Sequence, residues 1–259
     1  MSLAVENLSV WLGGRRVVED VSFACAAGEL VALVGPNGAG KTSLLRALAG
    51  LVPSTGEMRL AGQANLDTDL RHLDPKARAR AVAYLPQGHE AHWPLPARDI
   101  VALGRLPHGA GDPTRLIPAD AAAVEEAMRL ADVAALADRP VTRLSGGERA
   151  RVAMARVLAV GAPLILADEP TAALDPRHQL DVMGVLRGAA RAGATVIAVT
   201  HDLGLAARFA DRVLVMTEGR LVVADAPDVA LAPDVLRRVF GIEVYRADVA
   251  GEAILVPWT

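Results

Sequence analysis

Aromatic residues and cysteines are scarce in this chain of 259 residues. Phenylalanine, tryptophan and tyrosine make up 3% of it, whereas hydrophobic residues of all kinds make up 52%. The core must therefore be built mostly from alanine, valine and leucine. The only cysteine, Cys25, excludes an internal disulfide and any cysteine-rich metal site. Its apolar neighbours indicate a buried, inert thiol.

Long hydrophobic runs and an excess of positive charge are also missing. No apolar stretch approaches the roughly 18 residues that span a bilayer. Residues 1–6 lack the basic and apolar regions of a secretion signal. The formal net charge of -3 argues against nucleic acid as a partner. We therefore expect a reduced, cytosolic location.

A phosphate-binding loop is the first strong positive signal. Residues 35–42 match the pattern G-x-x-x-x-G-K-[ST] at every fixed position. They stand between the apolar run 30–34 and a helical pattern that ends near Gly50. A strand, a glycine-rich turn and a helix in this order aim backbone N–H groups at an anion. The chain is predicted to bind a nucleoside triphosphate, with Lys41 at the β- and γ-phosphates and Thr42 as a magnesium ligand.

A pair of carboxylates forms the second candidate site. Asp168 and Glu169 directly follow the apolar run 164–167, which places them at the C-terminal end of a buried strand. Phosphate ligands bind at that end of parallel sheets. Asp168 would hold Mg²⁺, and Glu169 would polarise the attacking water. The alternative is a solvated acidic turn, which the phosphate-binding loop makes less favourable.

The third element is the segment 144–148, Leu-Ser-Gly-Gly-Glu. Ser145 suits a helix N-cap and is followed by the helical pattern 149–160. A serine and two glycines at a helix start make a second anion-binding site, although alone they would be read as a flexible turn. One chain thus carries two sites of the phosphate-binding type.

The remaining pattern indicates an α/β fold. Short apolar runs typical of strands buried on both faces lie at 30–34, 164–167, 196–199 and 213–216. Other predicted strands lie at 3–10, 16–23, 57–60, 221–224, 243–247 and 253–256, and predicted helices at 119–130, 147–160, 178–191, 203–209 and 233–239. Six prolines punctuate alanine-rich stretches between residues 87 and 144, which indicates a helical insertion.

In order and spacing, these motifs resemble those of the ATP-binding subunit of ABC transporters, over essentially the full chain. The matching motifs are the Walker A loop at 35–42, the Q-loop at Gln87, the signature at 144–148, the Walker B strand at 164–168 followed by Glu169, the D-loop at 173–175 and the H-loop at His201. The resemblance implies an α/β, P-loop NTPase core with a parallel sheet, an N-terminal antiparallel β subdomain and an inserted helical subdomain. We expect one ABC ATPase domain over residues 1–259, with the catalytic core at 1–86 and 161–259 and the helical subdomain at 87–160.

The resemblance also implies roles for single residues. Two copies would dimerise head to tail, with each ATP held between the Walker A loop of one copy and the signature of the other. Glu169, His201 and Gln87 would be the catalytic residues, His201 at the γ-phosphate and Gln87 sensing Mg²⁺ and water. Magnesium would be held by Thr42, Gln87 and Asp168. The residues implied to bind ATP are Gly35, Pro36, Asn37, Gly38, Ala39, Gly40, Lys41, Thr42, Ser43, Ser145, Gly146, Gly147, Glu148 and Asp175, the last acting across the dimer interface.

The chain departs from the family pattern at a few positions. By register, Leu12 stands where the family often stacks a tyrosine on adenine, and Trp11 lies one residue earlier. Either Trp11 stacks on the base or apolar contacts hold it. Ala173 replaces the usual serine of the D-loop, and Glu148 stands where glutamine is common.

The segment that follows Gln87 contains three residues for which a functional role can be considered. His89 and His92 form a His-x-x-His pair, which is better read as solvated or interface histidines than as a zinc site. The resemblance implies that Trp93 would line the groove where the permease docks in this family. The alternative is that Trp93 packs inside the helical insertion.

The segments 83–87, 98–105 and 233–245 resemble the subfamily that serves uptake of ferric siderophores, haem and cobalamin. That resemblance implies separate transmembrane permease subunits, a periplasmic substrate-binding protein as an indirect partner, and a peripheral position on the cytoplasmic face of the inner membrane. Two other classes remain open at this point. One is a non-transport ABC ATPase acting on ribosomes or DNA, and the other is a small-molecule kinase with a phosphate-binding loop.

Overall fold

The computed structural model describes residues 2–61, 69–88, 94–249 and 252–258. The strands in chain order are β1 (Ser2–Leu12), β2 (Arg15–Cys25), β3 (Leu30–Val34), β4 (Ser54–Ala61), β5 (Val82–Leu85), β6 (Leu164–Asp168), β7 (Thr195–Val199), β8 (Arg212–Thr217), β9 (Arg220–Asp225), β10 (Val244–Val249) and β11 (Glu252–Pro257). The α-helices are α1 (Lys41–Leu48), α2 (Pro75–Ala81), α3 (Ala97–Ala102), α4 (Pro118–Leu130), α5 (Gly146–Ala159), α6 (Pro176–Arg191), α7 (Leu203–Phe209), α8 (Pro227–Ala230) and α9 (Pro233–Phe240). Short 3₁₀ turns lie at Leu70–His72, Leu103–His108, Ala134–Leu136 and Val141–Arg143.

The central sheet has the order β5-β6-β7-β3-β8-β9. Neighbouring strands are parallel except for β8 and β9, which are antiparallel. Every residue of β3, β6 and β7 is buried, as expected for strands covered on both faces. The carboxyl ends of β3, β5, β6 and β7 therefore open on one edge of the sheet, where the loops that follow them meet.

One face of this sheet is covered by an antiparallel sheet of order β2-β1-β4 and by α1. Gly13 and Gly14 turn β1 into β2 with φ of 55° and 76°, the backbone that a two-residue hairpin turn needs. Alternate residues of β3 face opposite ways, because Val31 and Leu33 pack in this layer while Ala32 and Val34 pack on the other side.

The opposite face carries the remaining helices of the core. Helices α5 and α6 cover β5, β6 and β7, while α7, α8 and α9 cover β3 and β8. A hairpin of β10 and β11 packs on α7 through the buried Leu255. Residues 250 and 251, between these two strands, lie outside the described residues.

The insertion between β5 and β6 is helical, as its prolines and alanines indicated. Helices α3, α4 and α5 enclose their own apolar cluster. Arg105 in the turn after α3 donates to Asp120 of α4 at 2.8 Å and to the Ala159 carbonyl at 2.7 Å. Helix α5 belongs to both cores, since Met154 packs with the sheet while Val152 packs with the insertion. Among the described residues, no helix is long and apolar enough to cross a bilayer.

Candidate active site

The loop at residues 35–40 joins β3 to α1 and approaches neighbouring backbone closely. Gly40 has a φ of 96°, and a Cβ there would lie 2.5 Å from the Val17 carbonyl oxygen, so only glycine fits. Lys41 begins α1 and is buried, with Nζ donating to the carbonyl oxygens of Gly35 at 2.7 Å and Pro36 at 2.9 Å. Burial lowers the pKa of Lys41. The loop thus holds a buried cation at the start of a helix, an arrangement suited to polyphosphate.

Asp168 ends β6 beside this loop and is fully buried. Its Oδ1 accepts a hydrogen bond from Thr42 Oγ1 at 3.1 Å, and its Oδ2 accepts one from the Tyr84 hydroxyl at 3.2 Å. Burial raises the pKa of Asp168. The carboxylate and hydroxyl oxygens of Asp168 and Thr42 are hard donors of the kind that Mg²⁺ prefers, so the residues present fit that ion.

Glu169 lies next to Asp168 and gathers two further predicted residues. Its Oε1 lies 2.7 Å from His201 Nε2, and its Oε2 accepts from Gln87 Nε2 at 2.8 Å. Glu169 has a φ of 51°, an uncommon backbone for a non-glycine residue that aims its side chain away from the strand. A cavity of about 310 Å³ lies here, lined by residues 37–43, Val17, Glu169 and His201.

The segment 145–148 is built differently and lies outside that cavity lining. Ser145 caps α5, with its Oγ accepting from Glu148 N at 3.2 Å while Glu148 Oε2 accepts from Ser145 N at 2.7 Å. This reciprocal pair is a capping box. The backbone N–H of Ser145 lowers the pKa of Glu148. Gly146 faces open space, since a Cβ there would meet no atom within 4 Å.

Asp175 lies with this second group. It caps α6, with Oδ1 accepting from His178 N at 3.1 Å and Oδ2 2.7 Å from His178 Nδ1. The His178 ring in turn lies against Gly147. The predicted residues therefore form two groups within one chain, one around the phosphate-binding loop and one at the starts of α5 and α6.

Sequence reasoning missed Tyr84, Val17 and His178. Tyr84 stands in β5, three residues before the predicted Gln87, and β5 pairs with the strand that ends at Asp168. No local pattern singled out Val17 or His178, because Val17 meets Gly40 and His178 meets Gly147, each in a distant part of the chain.

Trp11 and Leu12, the two candidates for contact with adenine, lie outside the lining of the cavity. Trp11 and Leu12 lie exposed at the end of the β1–β2 hairpin, with the Arg16 guanidinium 5.4 Å from the Trp11 ring centroid. His89, His92 and Trp93 lie outside the described residues.

Comparison with known proteins places these motifs in context. Residues 18–172 match the ABC transporter family. The hemin import ATP-binding protein HmuV of Nocardia farcinica is 48% identical over 94% of this chain and 83% of its own length. HmuV of Streptomyces coelicolor is 46% identical over 98% of this chain and 89% of its own. The cobalamin import ATP-binding protein BtuD of Halobacterium salinarum is 43% identical over 94% of this chain and 60% of its own.

Solved structures agree with these relatives. A chain of a metal-chelate type ABC transporter in an inward-facing conformation matches with a TM-score of 0.83 and 25% identity, over 100% of this chain and 98% of that chain. An ATP-binding cassette of an ABC transporter in its ADP conformation matches with a TM-score of 0.78 at 20% identity, over 92% of this chain and 98% of its own, and so supports the fold alone.

Proposed function

Because this chain belongs to the ABC transporter family and is an importer ATPase of that family, we propose that it drives uptake of haem, cobalamin or a ferric siderophore as one half of a head-to-tail dimer. The observation that carries the mechanism is the position of Glu169, held by His201 and Gln87 beside the phosphate-binding loop. The substrate class rests on the names of the relatives, which import hemin and cobalamin.

The first group of residues binds and orients ATP. Residues 38–42 line the cavity, and the Lys41 ammonium is held by the carbonyl oxygens of Gly35 and Pro36. The ammonium exchanges these carbonyl oxygens for β- and γ-phosphate oxygens, because a charged acceptor makes the stronger hydrogen bond. When bound, Mg²⁺ neutralises phosphate charge, and Thr42 and Asp168 would hold it with Gln87 beside them.

Glu169 acts as the general base. Its carboxylate accepts a proton from the attacking water, because each carboxylate oxygen keeps a free lone pair after bonding His201 or Gln87. His201 is 45% exposed and reaches the cavity. It fixes the orientation of Glu169 and stands where the γ-phosphate would lie.

The second group serves another copy of the chain. Ser145 and Gly146 present the start of α5 to solvent rather than to the cavity of the same chain, while Gly147 lies buried against His178. Two copies arranged head to tail would bring this helix N-terminus onto the γ-phosphate held by the other copy. Asp175 would act across the same interface.

The proposed transport also requires transmembrane permease subunits. A cavity of about 530 Å³ lies on the helical insertion between α3 and α4, rimmed by Arg98, Asp99 and Glu125. We assign this face to the permease, which places the chain at the cytoplasmic face of the inner membrane and leaves the periplasmic binding protein as an indirect partner.

The decisive test of the dimer uses Glu169→Gln, which keeps the shape and removes the base. Hydrolysis should fall by about 10²- to 10⁴-fold, the usual contribution of a general base. ATP with Mg²⁺ should convert this variant from monomer to dimer in light scattering. A variant that stays monomeric while binding ATP would refute the head-to-tail site, and wild-type hydrolysis would refute the role of Glu169.

The substrate is tested in the assembled importer. The chain is purified with the permease and binding protein that accompany it, and ATP hydrolysis is measured with the binding protein loaded with haem, cobalamin or a ferric siderophore. One of these should stimulate hydrolysis above the unloaded protein. Equal rates with all three would refute the substrate class.

A further inference from the structure

The starts of α5 and α6 touch at one unusually close contact. Gly147 lies in the first turn of α5, and a Cβ there would lie 2.2 Å from His178 Cδ2 and 2.4 Å from His178 Cγ. The imidazole ring therefore lies directly on the glycine backbone. Any larger residue at this position would have to displace the ring.

The other side of the same ring is held by Asp175. His178 Nδ1 lies 2.7 Å from Asp175 Oδ2, while Asp175 Oδ1 separately accepts from the His178 backbone N–H at 3.1 Å. The ring is only 28% exposed. His178 thus bridges the signature segment and the D-loop within one chain.

The contact continues one turn further along both helices. Arg151, four residues after Gly147, lies 3.6 Å from Asp181, three residues after His178. The Arg151 side chain is 14% exposed. Residues spaced by three or four share a helix face, so the two helices meet along a strip rather than at a point.

We propose that His178 is a positioning residue that fixes Gly147, and with it the signature segment, relative to Asp175, so that the signature segment and the D-loop meet the second copy as one preorganised surface. This rests on the proposed function, in which a second copy closes over ATP. Closure needs the signature and the D-loop to dock in one event. A fixed relation between them lowers the conformational entropy lost on docking.

The test measures ATP-driven dimerisation in the Glu169→Gln background. His178→Ala keeps the backbone N–H that Asp175 caps, so α6 keeps its cap, but loses the ring and its side-chain contact. The ATP concentration for half-dimerisation should rise about tenfold, within the range of coupled contacts. Binding of a fluorescent ATP analogue to the monomer and the melting temperature should stay unchanged.

Matched variants separate this role from general damage. Arg177→Ala alters an exposed neighbour in the same turn and should dimerise like the parent. His178→Asn keeps a donor near the position of Nδ1 and should recover part of the dimerisation. Loss of monomer binding or of thermal stability in His178→Ala would overturn the positioning role in favour of a structural one.

A double-mutant cycle tests the ring contact itself. Gly147→Ala should impair dimerisation, because its Cβ meets the ring. Adding His178→Ala should cost less than the sum of the two single changes, since the ring is gone. Additive effects would overturn the proposal.

The same measurements distinguish a failure of the proposed dimer from a failure of the role of His178. A Glu169→Gln parent that never dimerises overturns the proposed function. A parent that dimerises normally, with a His178→Ala variant that does so at the same ATP concentration, overturns only the role of His178.

Discussion

The two phosphate-type sites of this chain differ in what surrounds them. The loop at 35–42 has a buried lysine beneath it and Asp168, Glu169 and His201 beside it. The segment 145–148 has its polar groups paired with one another in a capping box, and Gly146 faces open space. This difference fits our proposal that the first site holds and attacks the nucleotide, whereas the second adds to a nucleotide held by another copy.

Their carboxyl groups differ in electrostatics as well. Burial raises the pKa of Asp168, so its contribution to stability falls as pH rises from its ordinary value through the raised pKa. The N–H of Ser145 lowers the pKa of Glu148, so its contribution is present above the ordinary value and is lost as pH falls through the lowered pKa. Burial thus disfavours the charged form of Asp168, whereas the hydrogen bond from Ser145 favours the charged form of Glu148.

The largest expected effect separates the two sites directly. Gly146→Asp places a negative charge where the γ-phosphate of the other copy would lie, with no neighbouring atom to clash with the new Cβ. ATP should still bind the monomer in fluorescence titration, while ATP-driven dimerisation should be lost. Gly146→Ala controls for size and should dimerise.

Lys41→Ala should have its main effect on ATP binding to the monomer, which Gly146→Asp should leave intact. Losing two charge-assisted hydrogen bonds of about 1.5 kcal/mol each should weaken ATP binding to the monomer on the order of a hundredfold. If Gly146→Asp weakened ATP binding to the monomer as much as Lys41→Ala, the proposal that the signature segment acts only on the nucleotide of another copy would be wrong.

A smaller effect is expected from the hydrogen bond that positions Asp168, the proposed Mg²⁺ ligand of the first site. Tyr84→Phe removes only the hydroxyl that donates to Asp168 at 3.2 Å. The Mg²⁺ concentration that supports half-maximal ATP binding should rise about three- to tenfold, as one hydrogen bond of about 1 kcal/mol implies.

The matched control for that change is Tyr245→Phe, because Tyr245 is 61% exposed on the C-terminal hairpin. A shift shared by both variants, or absent from Tyr84→Phe, would show that the hydroxyl does not position Asp168.

The smallest effect tests the satisfied state of the second site. Glu148→Gln can keep the capping box but no longer titrates. The acid limb of the melting temperature against pH should become flatter than in wild type, by on the order of 1–2 °C. Calorimetry between neutral and acid pH measures it, and an unchanged slope would mean that Glu148 contributes no pH-dependent stability.

Much of the fold follows from local patterns. The strand predicted at 30–34 is β3, and the helices predicted at 147–160 and 178–191 correspond to Gly146–Ala159 and Pro176–Arg191. Both helices carry a periodic pattern of apolar residues and an N-cap residue, Ser145 or Asp175, that is visible in the sequence. The short helices α2 and α8 were missed because neither is long enough to show a periodic pattern.

The residues of the candidate site also divide into those with a local sequence signal and those without one. Lys41, Asp168 and Glu169 could be placed together from sequence, because each follows a strand of one parallel sheet. Tyr84 and His178 were given no roles, because each contacts a residue far along the chain. Tyr84 donates to Asp168, 84 positions away, and the His178 ring lies on Gly147, 31 positions away. Such distances are set by packing that no local window contains.

Helix α5 has a consequence for how the molecule unfolds. It supplies Met154 to the core of the sheet and Val152 to the core of the insertion. Neither core can open without uncovering one side of this helix, so its amide hydrogens should exchange only in the same global event that releases both cores. The insertion and the sheet then form a single cooperative unit, despite their separate apolar clusters.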